Sequence, residues 1–378
     1  MQPKLLVLGI RGIPGCHGGF ETFAHHFAPW LVRRGWDVTV YCQHAENEPG
    51  APADFHIDCW NQVRRVHLRV PGDGAMSTIA FDLRCALHAS REDGAVLVLG
   101  YNTAIFNVIQ RIRGQVLLMN MDGIEWKRAK WGTFAKLWFR LNEVIAKRIC
   151  NVLIADHPRI ADHLRQTNKA PVVIPYGAPA IDHASTEPII EIGLVPRGYF
   201  VSICRLEPEN SLLEVVAAFS SKPRNHRLVV LGKIDPTNEF HRRVIEAASP
   251  EVMFPGAIYD ARIVTSLRMH CHAYVHGHQV GGTNPSLVEA MGVGNAIIAH
   301  DNQFNRWVAG DKQFYFSDSA SLELVFDLLD DCDDIKLEAA RLSAKQRHRE
   351  NFTYDIVHSQ YESMLCSAVQ IVAPMCDA

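Results

Sequence analysis

The chain has 378 residues, a formal net charge of −3, and a composition that is 48% hydrophobic. That length is generous for one core and suits two domains. The slightly acidic balance argues against a general nucleic-acid binder, whose surface is clearly basic.

At the amino terminus an apolar run ends at Arg11, too soon for a signal peptide. No stretch reaches the ~20 apolar residues of a membrane span. A cytoplasmic protein, soluble or peripheral at the inner face of the plasma membrane, is therefore expected. Residues 4–10 read as a buried strand. Residues 20–34 read as a helix, with Phe23, Phe27, Trp30 and Leu31 at helical spacing. Further strands are expected at 37–42, 63–70, 95–99, 116–120, 152–155 and 171–175. Continuous apolar strands separated by helices imply a parallel sheet covered on both faces. Pro, Gly and small residues then weaken the pattern, so residues 1–178 read as a first domain and 179–197 as a linker. A second α/β series has strands at 199–204, 227–232, 252–254, 273–276 and 296–299, and helices at 212–219, 239–248 and 285–291. It defines a domain over 198–352. Residues 353–378 read as a closing helix that crosses back to the first domain. The expected fold is α/β, with two Rossmann-like domains whose parallel sheets face a central cleft. Ligands of such sheets bind beyond the strand C-termini.

Ten cysteines are scattered without C-x-x-C spacing and read as free thiols. His276 and His278 flank a glycine, but two histidines without a third ligand nearby do not make a metal site; no metal is expected.

Four motifs follow strand ends. Gly9-Ile10-Arg11-Gly12-Ile13-Pro14-Gly15-Cys16-His17-Gly18-Gly19-Phe20-Glu21-Thr22 is a glycine-rich loop leading into a helix, either a phosphate cradle or a structural turn. It is not the dinucleotide fingerprint. Arg205-Leu206-Glu207-Pro208-Glu209-Asn210 places a guanidinium where it can grip a diphosphate or pair with a neighbouring glutamate. In the run from His276 to Gly292, the amides of Gly281, Gly282, Thr283 and Asn284 precede a helix opened by Pro285. Glu289, about one turn further on, suits ribose hydroxyls. Asn120-Met121-Asp122-Gly123-Ile124-Glu125-Trp126 offers Asp122 as a group that orients or deprotonates an acceptor hydroxyl, or as a turn aspartate. After it, residues 126–140 interleave aromatic and basic side chains, with Trp131, Phe134 and Trp138 on one helical face. That pattern fits an interfacial helix on anionic lipid, or a core-packed helix with a solvated basic side.

Taken in order along nearly the whole chain, these blocks resemble the bacterial rhamnosyltransferase group of the retaining GT-B glycosyltransferases, within the glycogen-synthase and mannosyltransferase-like superfamily. The resemblance implies a nucleotide-sugar co-substrate, usually dTDP-L-rhamnose, bound mostly by the second domain, with anomeric retention and no divalent metal. It implies a lipid-linked saccharide acceptor on the first domain, in cell-surface polysaccharide assembly. Donor contacts then fall on Gly18, Gly19, Arg205, Asn210, Gly281, Gly282, Thr283, Asn284 and Glu289. Acceptor contacts fall on Glu21, Asp122 and Glu125, and catalytic work on Asp122 and Arg205. The sequence departs from the wider superfamily at Gly281, where a first glutamate usually stands, and at Asn210, in a lysine's place. Asp122 stands near where many relatives have a histidine. Another UDP- or GDP-sugar is the alternative donor. Rival readings are a nucleotide-sugar 2-epimerase, an NAD-dependent oxidoreductase, and a silent nucleotide-sugar-binding scaffold.

Overall fold

The computed structural model describes residues 2–15, 18–45, 55–72, 74–128, 131–165, 170–330 and 334–372. Cys16, His17, Ala129, Lys130 and the end of the expected closing helix, 373–378, lie outside them. The chain forms two compact units, Met1–Tyr176 with Val357–Ala378, and Gly177–Ile356.

The strands of the first unit are β1 (Lys4–Leu8), β2 (Asp37–Ala45), β3 (Phe55–Trp60), β4 (Val63–Val70), β5 (Ala95–Leu99), β6 (Leu117–Asn120), β7 (Val152–Ala155) and β8 (Val172–Val173). Among the described residues they make an eight-stranded sheet in the order β3-β4-β2-β1-β5-β6-β7-β8. All pairs are parallel except β3 with β4, which form an edge hairpin. Central β1 pairs Leu5 with Val38 on one side and Ala95 on the other. Its residues Leu5 to Leu8 are all buried, as a strand covered on both faces requires. The helices are α1 (Gly19–Arg33), α2 (Ala75–Ala89), α3 (Val108–Ile112), α4 (Thr133–Ile149) and α5 (Pro158–Leu164). In α1, Phe23, Phe27 and Leu31 recur every four residues and enter the core with Val7, Val40 and Leu97.

The second unit has strands β9 (Tyr199–Ile203), β10 (Arg227–Leu231), β11 (Val252–Gly256), β12 (Tyr274–His276), β13 (Ile297–His300) and β14 (Phe314–Phe316). They form a parallel sheet in the order β11-β10-β9-β12-β13-β14. Its helices are α6 (Glu187–Glu191), α7 (Leu212–Phe219), α8 (Glu239–Glu246), α9 (Ala261–His270), α10 (Pro285–Gly292), α11 (Gln303–Ala309), α12 (Ser319–Asp330) and α13 (Asp334–Asn351). The last helix, α14, spans Tyr354–Val372. From Val357 on it packs into the core of the first unit through Val357, Tyr361 and Leu365. Glu362 ties it there, accepting from Arg34 at 2.6 Å and from the Trp36 indole at 3.2 Å.

Residues 179–197, read as a linker, are instead integral to the second unit. Ile189 on α6 and Leu194 are buried in its core. Asp182 pairs with Lys345 and Arg349, and Ser266 donates to the Ser185 carbonyl. Small, weakly periodic residues signalled irregular backbone but not whether that backbone was packed. The described cysteines are free: Cys42, Cys85, Cys150 and Cys271 are buried, Cys204 is half-buried, and Cys59 and Cys366 are exposed. Among the described residues, no helix is long and apolar enough to cross a membrane.

Candidate functional site

Donor-type chemistry gathers at the strand C-termini of the second unit. β9 and β12 are neighbours in the sheet, so the loops that follow them lie side by side. Arg205, two residues beyond β9, is exposed, and among the described residues its guanidinium has no hydrogen-bond or ion-pair partner. The glutamate pairing that the sequence allowed is therefore absent. The backbone beneath it is fixed. The Asn210 amide donates to the Arg205 carbonyl at 2.8 Å, and the His241 ring contacts the Leu206 carbonyl at 2.8 Å while accepting from the Asp235 N–H. Asn210, expected to contact the donor, is buried and directs its amide to this backbone instead, because the short turn Pro208–Asn210 folds it inward.

The loop after β12 is laid against this turn. A Cβ on Gly277 would stand 2.2 Å from the Asn210 carbonyl oxygen, so only glycine permits the approach. Gln279 then donates its N–H to Glu209 and its amide to Ser211. Gly281 and Gly282 are half-buried and Thr283 is buried. The Asn284 side chain caps α10 by accepting from the Ser286 N–H at 2.9 Å, with Pro285 in the first turn. Ser286 bonds back to the Ile203 carbonyl at the end of β9. The helix start and Arg205 are thus anchored to one strand end.

Glu289 is half-buried, and one carboxylate oxygen pairs with Arg268 at 2.5 Å. The expected ribose acceptor thus arrives with a cation of its own, carried on α9, which helical spacing could not reveal. His276 is buried and stacks on His278 at 4.2 Å, and burial holds its pKa well below the usual histidine range. Among the described residues, no group of three or more His, Cys, Asp or Glu is placed to hold a metal ion.

In the first unit, Gly18 caps α1 at φ 107°, and a Cβ there would strike a Glu21 carboxylate oxygen at 2.2 Å. Gly19 begins the helix. Glu21 folds back on the loop and accepts from the Arg11 N–H at 3.2 Å. Asp122 has φ 51°, and its N–H donates to the side chain of Asn120, which in turn bonds the Tyr361 hydroxyl. Glu125 is a correction. It is buried, and its two oxygens accept from Arg128 at 2.8 Å and from the Trp131 indole at 2.9 Å. It holds the segment before α4 rather than standing ready for a ligand.

One feature of this unit was not read from the sequence. A cavity of about 710 Å³ lies among the β1 loop, α1, α2, the loop after β5 and the start of α4. Arg11, Glu21, Asp82 and Thr103 line it, together with Trp131, Phe134 and Trp138; Asp122 and Glu125 do not. Asp82 accepts from the Thr103 hydroxyl at 2.7 Å, and burial pushes its pKa up to about 6 despite that bond. It lies on α2, a helix that the sequence reading did not identify. For Trp138 on α4 and Trp131 just before it, the packed alternative of the two readings holds. Their indole N–H groups are bound to Glu125 and to the Asn102 carbonyl, and they turn toward the cavity.

Two half-chain families and several whole-chain folds are similar to this architecture. Sucrose-phosphate synthase from Thermosynechococcus elongatus aligns at TM-score 0.80 and 15% identity, covering 98% of this chain and 100% of that one. HepE from Anabaena, solved with UDP and glucose, aligns at 0.74 and 15%, covering 97% and 100%. Trehalose 6-phosphate synthase from Burkholderia multivorans aligns at 0.73 and 11%, covering 100% and 99%. No curated protein matches the chain. The fold is GT-B. Residues 193–347 match the family Glycosyl transferases group 1, so the second half is a group 1 glycosyltransferase domain. Residues 2–179 match Domain of unknown function DUF1972.

Proposed function

We propose that the protein is a retaining glycosyltransferase that moves L-rhamnose from dTDP-L-rhamnose to a lipid-linked saccharide in cell-surface polysaccharide assembly, working at the cytoplasmic face of a membrane. The observation that carries the transfer reading is Arg205: a guanidinium with no partner among the described residues, on a braced loop beside the N-terminus of α10. An exposed cation without a partner, next to oriented amides, suits an anion with several oxygens.

As the bond from the anomeric carbon to the diphosphate breaks, negative charge grows on the leaving oxygen. Arg205 and the amides of Gly282 to Asn284 stabilise it electrostatically. The sugar passes through an oxocarbenium-like state. The acceptor oxygen attacks from the face the diphosphate leaves, its bond to the anomeric carbon forms, and its proton passes to a departing phosphate oxygen. Asp122 orients the acceptor or the sugar. Gly18 and Gly19, at the start of α1, are the further donor contacts that the resemblance implies. Glu289, with Arg268 as its counter-charge, holds the ribose.

The rhamnosyl choice rests on the sequence resemblance, whereas the UDP complex of HepE favours a UDP-sugar as the alternative. A panel of nucleotide-sugars, read first by thermal stabilisation and then by nucleoside-diphosphate release, separates them. Selective stabilisation by dTDP or dTDP-rhamnose is expected. Preference for a UDP- or GDP-sugar replaces the sugar and keeps the reaction. Binding without release or transfer in the presence of acceptor lipid turns the reading to a silent scaffold.

A further inference from the structure

One edge of the first unit's sheet ends on β3, which among the described residues pairs with β4 alone. Asn61 and Gln62, both at positive φ, make the two-residue turn between these strands. A turn of that kind is flanked by a pair that exchanges main-chain hydrogen bonds, here Trp60 and Val63. Bonded and non-bonded pairs alternate along an antiparallel ladder. Asp58 and His56 therefore also bond to β4, and the N–H and C=O groups of Phe55, Ile57 and Cys59 point outward. The side chains of those three residues share one face and are exposed. The same face meets α2: Phe55 stacks on His88 at 5.3 Å, and Leu83 and Leu87 of that helix are exposed as well. Proteins commonly keep such an edge from pairing with a lysine, a proline or a bulge. β3 contains no lysine or proline, and its register with β4 runs unbroken.

The strand is also complementary to itself. Run antiparallel about a twofold axis at Ile57, it sets Ile57 against Ile57, Phe55 against Cys59 and His56 against Asp58. The first two pairings join apolar side chains, and the third joins an imidazole to a carboxylate. Each outward N–H and C=O of Phe55, Ile57 and Cys59 then meets its counterpart on the other strand. An axis at Asp58 would instead set two carboxylates, each held by Arg65, face to face, and would leave the main-chain groups of Phe55 opposite the turn. We propose that β3 is a dimer interface, at which a second copy of this chain adds its own β3 in antiparallel register about Ile57 and joins the two sheets into one. Such an interface is isologous, each copy giving the same patch. It is independent of the glycosyl-transfer reading.

The test is analytical ultracentrifugation of the full chain over a dilution series. The wild type is expected to sediment at twice the mass of the chain and to dissociate on dilution. Ile57→Lys sets two ammonium groups opposite each other at the axis and should be monomeric where the wild type is dimeric. Because Ile57 is exposed and its main chain points away from β4, the variant should keep the cooperative thermal unfolding of the fold. A second measurement needs no disruption and reads the register. Phe55→Cys places a thiol opposite the native Cys59 of the other copy, with Cα atoms about 5.5 Å apart, within disulfide reach. Mild oxidation should cross-link it into a dimer on a non-reducing gel, and Cys59→Ser in the same chain should abolish the cross-link. The wild type should not cross-link through Cys59, because the two copies of that residue lie about 14 Å apart along the strands. A monomeric wild type throughout the series would leave the edge to a strand of another protein and overturn the proposal. So would a dimer that survives Ile57→Lys, the absence of a cross-link in Phe55→Cys, or a cross-link that persists without Cys59.

Discussion

At the scale of single residues, Arg205 and Asn210 divide one task. The guanidinium is exposed and has no partner among the described residues, while the amide of Asn210 holds the carbonyl of the same arginine. Arg205→Ala is expected to cost about 2–4 kcal/mol in the transition state, comparable to one oxyanion donor. Measured as kcat/KM for nucleoside-diphosphate release, that is a loss of roughly 30- to 1,000-fold. Arg205→Lys should recover only part of it, since an ammonium lacks the planar fork. Near wild-type turnover in Arg205→Ala would remove the residue from the mechanism. The cation was legible in the sequence because strand-end position follows from a local rule. The role of Asn210 was not, because its partner is a backbone carbonyl and leaves no mark on residue type. Glu125 misled for a related reason, and Glu289 arrives with a partner that the sequence did not show. Their partners, Arg128 with Trp131 and Arg268, are fixed by folding, and a carboxylate near a strand end reads the same whether or not it is already neutralised.

At the scale of elements, the parallel strands declared themselves because a strand buried on both faces is apolar throughout, as in Leu5 to Leu8. The edge strand β3, Phe-His-Ile-Asp-Cys-Trp, is mostly exposed and carries no such run, so the hairpin was missed. Helix α4 shows how periodicity can identify a helix without saying how one apolar face divides between protein and solvent. Trp138, and Trp131 just before the helix, turn inward, whereas Phe134 on the same expected face is 91% exposed, and Leu137 at 65%, Leu141 and Val144 are exposed as well. Lys136 and Arg140 lie on the same helix. Exposed aromatic and aliphatic side chains beside cations are the components of an interfacial helix. If α4 rests on a membrane, the protein should float with phosphatidylglycerol vesicles and less so with neutral ones, and added salt should weaken binding. Replacing Phe134 and Leu137 together with Ser should remove about 2–4 kcal/mol of apolar insertion, at about 1–2 kcal/mol for each partly inserted side chain. Unchanged flotation of the double variant would assign the stripe to another partner.

At the scale of the whole molecule, the abundance of histidine, 19 residues, acquires a physical account. Several are structural and held neutral. His348 is fully buried and bonds the Ala178 carbonyl, with its pKa lowered to about 4 by burial. His358 packs among the rings of Phe23, Phe27 and Trp30, and burial lowers its pKa to about 3. His276 is lowered in the same direction. In the unfolded chain each would titrate near its ordinary value of about 6.5. Between that value and the folded pKa the unfolded state binds the extra proton, so stability is full above about pH 6.5 and declines as pH falls. By pH 5 each deeply buried histidine should cost on the order of 1–2 kcal/mol, a large share of the stability of an ordinary domain. Asp82 works in the opposite sense. Its pKa of about 6 means that its burial penalty eases in acid and offsets part of the loss. The net expectation is a melting temperature that falls steadily from pH 7 to pH 5. His358→Phe separates this from a general acid effect, because it keeps a ring among the same aromatic neighbours and removes the titrating nitrogens. Its melting temperature should fall less steeply over the same range. A slope equal to that of the wild type would mean that His358 gains its proton without unfolding the chain.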